Sequence, residues 1–511
     1  MLLHEWLESN ARERPAKVAL VCDAQRLTWR DIDTRATRLA ATLQARSIRR
    51  GDRVAIFLDN CTEAVVSIFA ALKAGAVFMP INPQTKADKL AYLLNDSGAR
   101  ALISHGTLKD IATAGLDAAP GVTALVMVEC ADTSISGRDV VPFNEAIADN
   151  ERTPFTLPPT IDQDLASIIY TSGSTGDPKG VVLSHLNMVS AATSISTYLE
   201  LREDDIILNV LPIAFDYGLY QVLMSTRVGA CVVLHRSLAF PIRILEAMAR
   251  ERVTVFPGVP TAFSMILNLS TLKTFDLSAL RTVTNTAAAL SEAHIRDIRA
   301  AFPQARLFSM YGLTECKRVT YLPPDQLDIR PMSVGRGMPN EEVWLVDENG
   351  TRLPNGSSGE LVVRGSNVMR GYWNKPAETA ERLKPGPLPG EMLLHTGDIF
   401  RTDDEGYLYF VARKDDIIKS RGEKVSPREV ENVLYQIDGV LEAAVIGVPD
   451  DILGQAVKAF VVLKPGHELT PRDIIRQCLG RLESFMAPKH VEIMASLPRT
   501  DTGKISKRGL R

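Results

Sequence analysis

The residues of this chain best suited to chemistry lie between Tyr170 and His185, in the stretch YTSGSTGDPKGVVLSH. Gly173 and Gly176 alternate with Thr171, Ser172, Ser174 and Thr175, and Lys179 follows. Small residues let a backbone approach an anion, hydroxyls donate hydrogen bonds and an ammonium neutralises a phosphate. A Walker loop needs Gly-Lys followed by Ser or Thr at a strand-to-helix junction. Here Lys179 follows Pro178 and precedes Gly180, so that pattern fails. The other use of such residues is a polar surface turn. Further groups stand in YGLTEC (311 to 316), HTGDIF (395 to 400), RKDDIIKSRGEK (413 to 424) and PRTDTGK (498 to 504). Taken singly, Tyr311 suits a core, Glu315 a surface, Asp398 a turn and Lys504 a solvated terminus.

The elements that must position these groups follow from hydrophobic patterning. Ala166 to Ile169 and Gly180 to Leu183 read as buried strands, which places the loop between strands. Upstream, Trp29 to Ala45 and Glu63 to Ala74 read as helices, with strands at Arg53 to Leu58, Val77 to Pro80 and Ala101 to Ser104. Gly115 to Pro159 is rich in Asp, Pro and Ser and is expected to form surface connections, apart from a strand at Ala124 to Val128. Downstream, helices at Leu186 to Leu199, Pro241 to Arg252 and Ser291 to Ala301 alternate with short apolar strands. Such alternation predicts an α/β fold of parallel sheets with helices on their faces. From Ser333 short strands separated by Gly, Asn and Pro indicate a β-rich segment. Charged Arg413 to Asp416 suits a linker, and a small α+β domain follows. The expected division is a large domain over 1–412, β-rich from about 333, a hinge over 413–416 and a C-terminal domain over 417–511.

The bulk composition excludes several classes. With 511 residues more than one folded unit is expected. Hydrophobic content of 45% and charged content of 23% are ordinary for a soluble protein. The net charge of -3 gives no reason to expect nucleic acid or a membrane as partner. No window approaches the ~18 apolar residues of a spanning helix, and Glu5 and Glu8 oppose a signal peptide. Six scattered cysteines without a CxxC pair suit a reducing, cytoplasmic compartment.

Taken together, YTSGSTGDPKG, YGLTE, TGD, RKDDIIKSRGEKVSPREVE and PRTDTGKI resemble the adenylate-forming superfamily. It includes acyl-CoA synthetases, the adenylation domains of nonribosomal peptide synthetases and firefly luciferase. The resemblance implies that a carboxylate attacks the α-phosphate of ATP to give an acyl-adenylate and pyrophosphate. A phosphopantetheine thiol, of coenzyme A or a carrier protein, then displaces AMP. It assigns Thr171, Ser172, Gly173, Ser174, Thr175, Gly176 and Lys179 to the ATP phosphates. Tyr311 and Gly312 would lie at adenine, Thr314 at a phosphate oxygen and Glu315 at Mg2+. Asp398 would hold the ribose with Arg413 nearby, and Lys504 would bridge carboxylate and α-phosphate. Asp415 matches a hinge about which a mobile C-terminal domain swings, and Lys419 and Gly422 match positions facing the thiol. A nucleotide sensor without catalysis is expected to lose Lys179, Glu315 or Lys504, and all three are present.

Substrate choice points to Phe215-Asp216 and to Thr286, Ala287 and Ala288, where many members carry Gly-Gly-Ala. Amino-acid-activating members have an aspartate matching Asp216 that pairs with the substrate's ammonium. A buried carboxylate without a partner is costly. A small or cyclic amino acid loaded onto a separate carrier protein is therefore expected, within secondary metabolism and by a monomer or homodimer. The alternatives are a fatty or aryl acid going to coenzyme A, and Asp216 as a helix cap. The chain ends at Arg511 without a carrier module, so the acceptor is expected from outside.

Overall fold

The structure, a computed structural model, describes residues 1–148, 155–171, 177–236, 238–286, 290–420, 423–450, 453–499 and 505–510. Two nine-stranded sheets, a five-stranded antiparallel sheet and a five-stranded C-terminal sheet make up the described β structure. In the first large sheet Val18–Cys22, Cys231–Leu234, Ile206–Asn209, Val255–Gly258, Thr282–Asn285 and Arg306–Tyr311 run parallel. In the second, Leu165–Thr171 joins Val77–Ile81, Arg53–Phe57, Ala99–His105 and Ala124–Val128 in a parallel array. Every residue of Val77–Ile81, Cys231–Leu234 and Thr282–Asn285 is buried. A parallel sheet covered on both faces needs such continuous runs. The α/β class read from the sequence is the observed one, with a smaller C-terminal domain carrying its own sheet.

A layer of helices joins the two large sheets. Trp29–Ala45, Thr62–Lys73, His185–Tyr198 and Asp216–Val228 place apolar residues in one cluster with strands of both sheets. Every residue of Thr62–Lys73 except Glu63 is buried. A helix apolar around its whole circumference belongs inside a protein, not on its face. Buried Lys73 is neutralised there by Glu8 at 2.7 Å and Asp33 at 2.9 Å.

The expectation of plain surface connections over Gly115 to Pro159 is corrected. Ser134–Ile135 and Arg138–Pro142 extend the second sheet beyond Ala124–Val128. The Arg138 guanidinium locks this extension by donating to the carbonyls of Val122, Leu116 and Ala119. Polar composition concealed these strands because Ser134–Ile135 is the short edge of the sheet and Arg138–Pro142 next to it is only partly buried.

Candidate active site

Ligands of open α/β sheets bind beyond the carboxyl ends of parallel strands. The loop after Thr171, the segment 210–215 after Asn209, Thr286 after Asn285 and the segment 312–318 after Tyr311 all leave such ends. Leu165–Thr171 and Lys179–Ser184 form an antiparallel hairpin in which Lys179 faces Thr171. The described residues on either side of the loop are tied to their surroundings. The Tyr170 hydroxyl donates to Asp96 at 2.6 Å and the Tyr92 hydroxyl to the Pro178 carbonyl at 3.2 Å. The Asp96 carbonyl also accepts from the Trp373 indole at 3.0 Å.

Lys179 and Glu315 meet at one aromatic side chain. The Lys179 ammonium lies 5.5 Å from the centre of the Tyr372 ring, and the Tyr372 hydroxyl donates to Glu315 Oε1 at 2.7 Å. Burial, with Glu315 beside it, pushes the Tyr372 phenol well up, so the proton stays on tyrosine. Glu315 Oε2 accepts no hydrogen bond from the described residues. One carboxylate oxygen without a described donor, on a side chain joined through Tyr372 to Lys179, fits a Mg2+ ion that takes its remaining ligands from elsewhere. No group of three or more His, Cys, Asp or Glu among the described residues forms a metal site of its own.

Tyr311, Asp398 and Arg413 form a second knot. The Tyr311 hydroxyl donates to Asp398 Oδ2 at 2.5 Å, and Arg413 Nε lies 3.7 Å from Asp398 Oδ1. The TGD sequence builds this position. Register shifts between Glu360 and Val362 opposite it, so Thr396 to Asp398 bulge out of the ladder. Bulges re-aim a side chain. Gly397 takes φ +70 with the Arg382 guanidinium packed where a Cβ would stand. The Thr396 hydroxyl accepts the Asp398 N–H at 3.1 Å. Burial pushes the Asp398 carboxyl above its usual range, against the pull of Arg413 and of the Tyr311 hydroxyl. Tyr311 packs edge-on to Phe400 at 4.8 Å, Phe400 to Phe410 at 5.4 Å, and Arg428 of the C-terminal domain lies 5.5 Å from Phe410.

At the other end, Asp216 is neither a cap nor unpartnered. Phe215 is the N-cap of Asp216–Val228 and makes no side-chain cap hydrogen bond, so Asp216 is the first helical residue. Its Oδ2 lies 3.4 Å from Lys317 Nζ. The premise of the amino-acid expectation, a carboxylate waiting for a substrate ammonium, is thereby corrected: the chain supplies the cation itself. Asn60 and Asn209 fix the preceding segment. Asn60 accepts from the Ile213 N–H at 2.8 Å and donates to the Leu211 carbonyl at 2.9 Å, while Asn209 accepts from the Leu211 N–H at 3.1 Å. Segment 312–318 doubles back on itself. A Cβ on Gly312 would stand 2.8 Å from the Lys317 carbonyl, and Lys317 adopts φ +65.

Thr286 is buried, and Thr314 sits in the turn beside Glu315. Cys316 is fully buried and burial pushes its thiol well up, which suits packing and not reactivity. Asp415 lies in the single helical turn Lys414–Asp416 and Lys419 in the strand Ile418–Ser420. Ser172, Gly173, Ser174, Thr175, Gly176, Ala287, Ala288, Gly422 and Lys504 lie outside the described residues. Sequence reasoning passes over Tyr372, Asn60, Asn209, Lys317 and Arg318. Only the last two carry a signal, as adjacent cations between YGLTEC and the apolar run VTYL.

The sequence profile of the AMP-binding enzyme family matches residues 7–373, and that of the AMP-binding enzyme C-terminal domain matches 429–504. A long-chain-fatty-acid–CoA ligase of Bacillus subtilis (strain 168) is 32% identical, over 99% of this chain and 94% of the relative. A feruloyl-CoA synthase of an Amycolatopsis species is 35% identical, over 100% of this chain and 98% of its own. The crystal structure of an anthranilate CoA ligase, AuaEII, in complex with anthranoyl-AMP superposes with a TM-score of 0.91 at 29% identity, covering 100% of this chain and 96% of that one. By these matches the chain belongs to the AMP-binding enzyme family and is an ATP-dependent, AMP-forming acid–thiol ligase.

Proposed function

We propose that the chain joins a carboxylic acid without an α-ammonium group to coenzyme A. The observation that carries this reading is the 3.4 Å Asp216–Lys317 pair. A substrate ammonium at Asp216 would stand against Lys317, and like charges in a low-dielectric site repel strongly. The relatives named above, two CoA ligases and a CoA synthase, support the same acceptor.

In the first half-reaction the acid's carboxylate attacks the α-phosphate and pyrophosphate leaves. Phosphoryl chemistry of this kind is governed by positioning and charge stabilisation. Lys179 and the hydroxyls of the 171–176 loop take the phosphates, and Lys504 serves the attacking carboxylate. Glu315 would hold Mg2+, which when bound would neutralise phosphate charge. Tyr372 orients Glu315 by its hydroxyl and stands beside Lys179 by its ring, so one side chain spaces the two charges that meet the triphosphate. Tyr311 lies against adenine and Asp398 accepts the ribose hydroxyls. In the second half-reaction a rotation about 413–416 brings Lys419 and Gly422 toward the thiol, a gating step and not a chemical one.

The test is AMP release with coenzyme A and ATP across fatty, aryl and amino acids. Thioester formation from a non-amino acid is expected. Faster turnover of proline or any other amino acid would sink the reading.

A further inference from the structure

Two cations follow the YGLTEC motif, and the described residues neutralise only one of them. Lys317 and Arg318 are 3% and 1% exposed, so water does little to compensate either. Asp216 serves Lys317, at a separation long for a charge-assisted hydrogen bond. Arg318 forms no ion pair among the described residues, and its buried Nε has no hydrogen-bond partner there. Two residues further on, the buried Thr320 hydroxyl is also without one. The nearby carboxyl of Glu341 does not fill the gap. It is reached by Asn367 Nδ2 at 2.9 Å, and burial pushes it well above the usual carboxylate range.

Ring faces supply part of the compensation. Arg318 lies 5.1 Å from the centre of the Tyr217 ring, and Lys317 lies 5.4 Å from Tyr217 and 4.7 Å from Tyr220. Such contacts offset a fraction of what burying a cation costs. Backbone conformation adds a second mark. Lys317 holds φ +65, a region in which glycine is unstrained and a lysine is not. Strain and unsatisfied buried donors together are features of functional sites, and each orphaned group calls for a partner. The place is also the right one. Lys317 and Arg318 leave the carboxyl end of Arg306–Tyr311, and Tyr217 is tied to the end of Thr282–Asn285 by its hydroxyl at 2.7 Å from Thr284 Oγ1. Asp216, with its side chain 23% exposed, is where the group opens outward.

We propose that Arg318, with the Lys317–Asp216 pair beside it, receives a second carboxylate at the far end of the acid substrate, so that the chain activates one end of a diacid. The proposal rests on the reading of the chain as a ligase for non-amino acids. The guanidinium fork matches a carboxylate in two hydrogen bonds, and the added negative charge leaves the cluster neutral. The second carboxylate is bound and takes no part in the reaction.

Thioester formation is measured with the full-length enzyme, ATP and coenzyme A, using diacids from succinate to sebacate, each against the monocarboxylate of equal carbon count. The best diacid is expected to exceed its monoacid by about 100-fold in kcat/KM, because a site built for a charged group rejects the analogue that lacks it. Arg318→Met is expected to bring that ratio toward one, chiefly through KM for the diacid, and Arg318→Lys to keep part of the preference. Both substrates are read on one preparation, so a partly unfolded variant changes both equally and leaves the ratio intact. A wild-type enzyme that uses monoacids as well as diacids overturns the proposal, as does a ratio that Arg318→Met leaves unchanged. Release of pyrophosphate with amino acids, and with neither mono- nor dicarboxylates, overturns the parent reading and this one with it.

Discussion

The two ends of the site are finished to different degrees. At the end assigned to the nucleotide, Asp398 has the Tyr311 hydroxyl, Glu315 has the Tyr372 hydroxyl and Lys179 has the Tyr372 ring. At the end assigned to the acid, Asp216 pairs with Lys317 only, and Arg318 Nε and Thr320 Oγ1 lack described partners. The contrast marks where the ligand's own charge is needed. Groups that must meet ATP, whatever the acid, are oriented before it arrives. Groups that choose the acid stay unsatisfied until the right one comes, and selectivity follows because a wrong acid leaves them so.

The steepest loss is expected at the nucleotide end. Glu315→Gln keeps the shape and the Tyr372 contact but removes the charge offered to Mg2+. Acid-dependent pyrophosphate release should fall by about 100- to 1000-fold, the scale seen when one transition-state contact is lost. A fall below tenfold would remove Glu315 from the metal's shell.

Arg318→Met separates the two ends by sign. Most buried side chains cost stability when replaced, yet a cation buried without an anion should not. Thermal unfolding of the ligand-free variant should show no loss, and a gain of up to about 2 kcal/mol, as when buried charges give way to apolar groups. A clear drop in Tm would mean that Arg318 has a stabilising partner and that the acid end is complete without substrate.

Tyr372→Phe tests orientation alone. The ring remains beside Lys179, and only the hydrogen bond to Glu315 is lost. A charge-assisted hydrogen bond of about 1.5 kcal/mol corresponds to roughly tenfold in rate. The Mg2+ concentration for half-maximal activity should rise with it, which simple loss of packing would not cause.

A weaker effect is one of pH. Burial pulls the Lys317 ammonium down to about 7, with Asp216 holding it up and Arg318 pressing it down, while Cys316, Tyr217 and Tyr220 around it stay neutral. Protonated Lys317 favours a second carboxylate, and the neutral amine does not. The diacid's kcat/KM, divided by the monoacid's, should therefore fall several-fold as pH rises through about 7. A flat ratio would detach Lys317 from the acid.

Much of the nucleotide end is legible in the residue order. Lys179, Glu315 and Asp398 sit in short motifs whose local geometry is set by neighbours in the chain, as Thr396 and Gly397 set the bulge for Asp398. Regular elements are legible for a similar reason, and the helix read over Trp29 to Ala45 has those same ends in the fold. The strand Arg138–Pro142, next to the sheet edge, is not, since its half-exposed pattern resembles that of a loop.

The family, the chemistry and the alternation of strands and helices come from the linear sequence, because each rests on residues close together along the chain. Which charges are already matched comes from the tertiary structure. Tyr372 reaches Glu315 across 57 residues, and Lys317 reaches Asp216 from the turn after strand Arg306–Tyr311. Electrostatic pairing depends on distance in space and on burial, and a linear sequence displays neither. Asp216 therefore reads as unpartnered in the sequence, whereas in the fold the buried charge without a counter-ion among the described residues is Arg318.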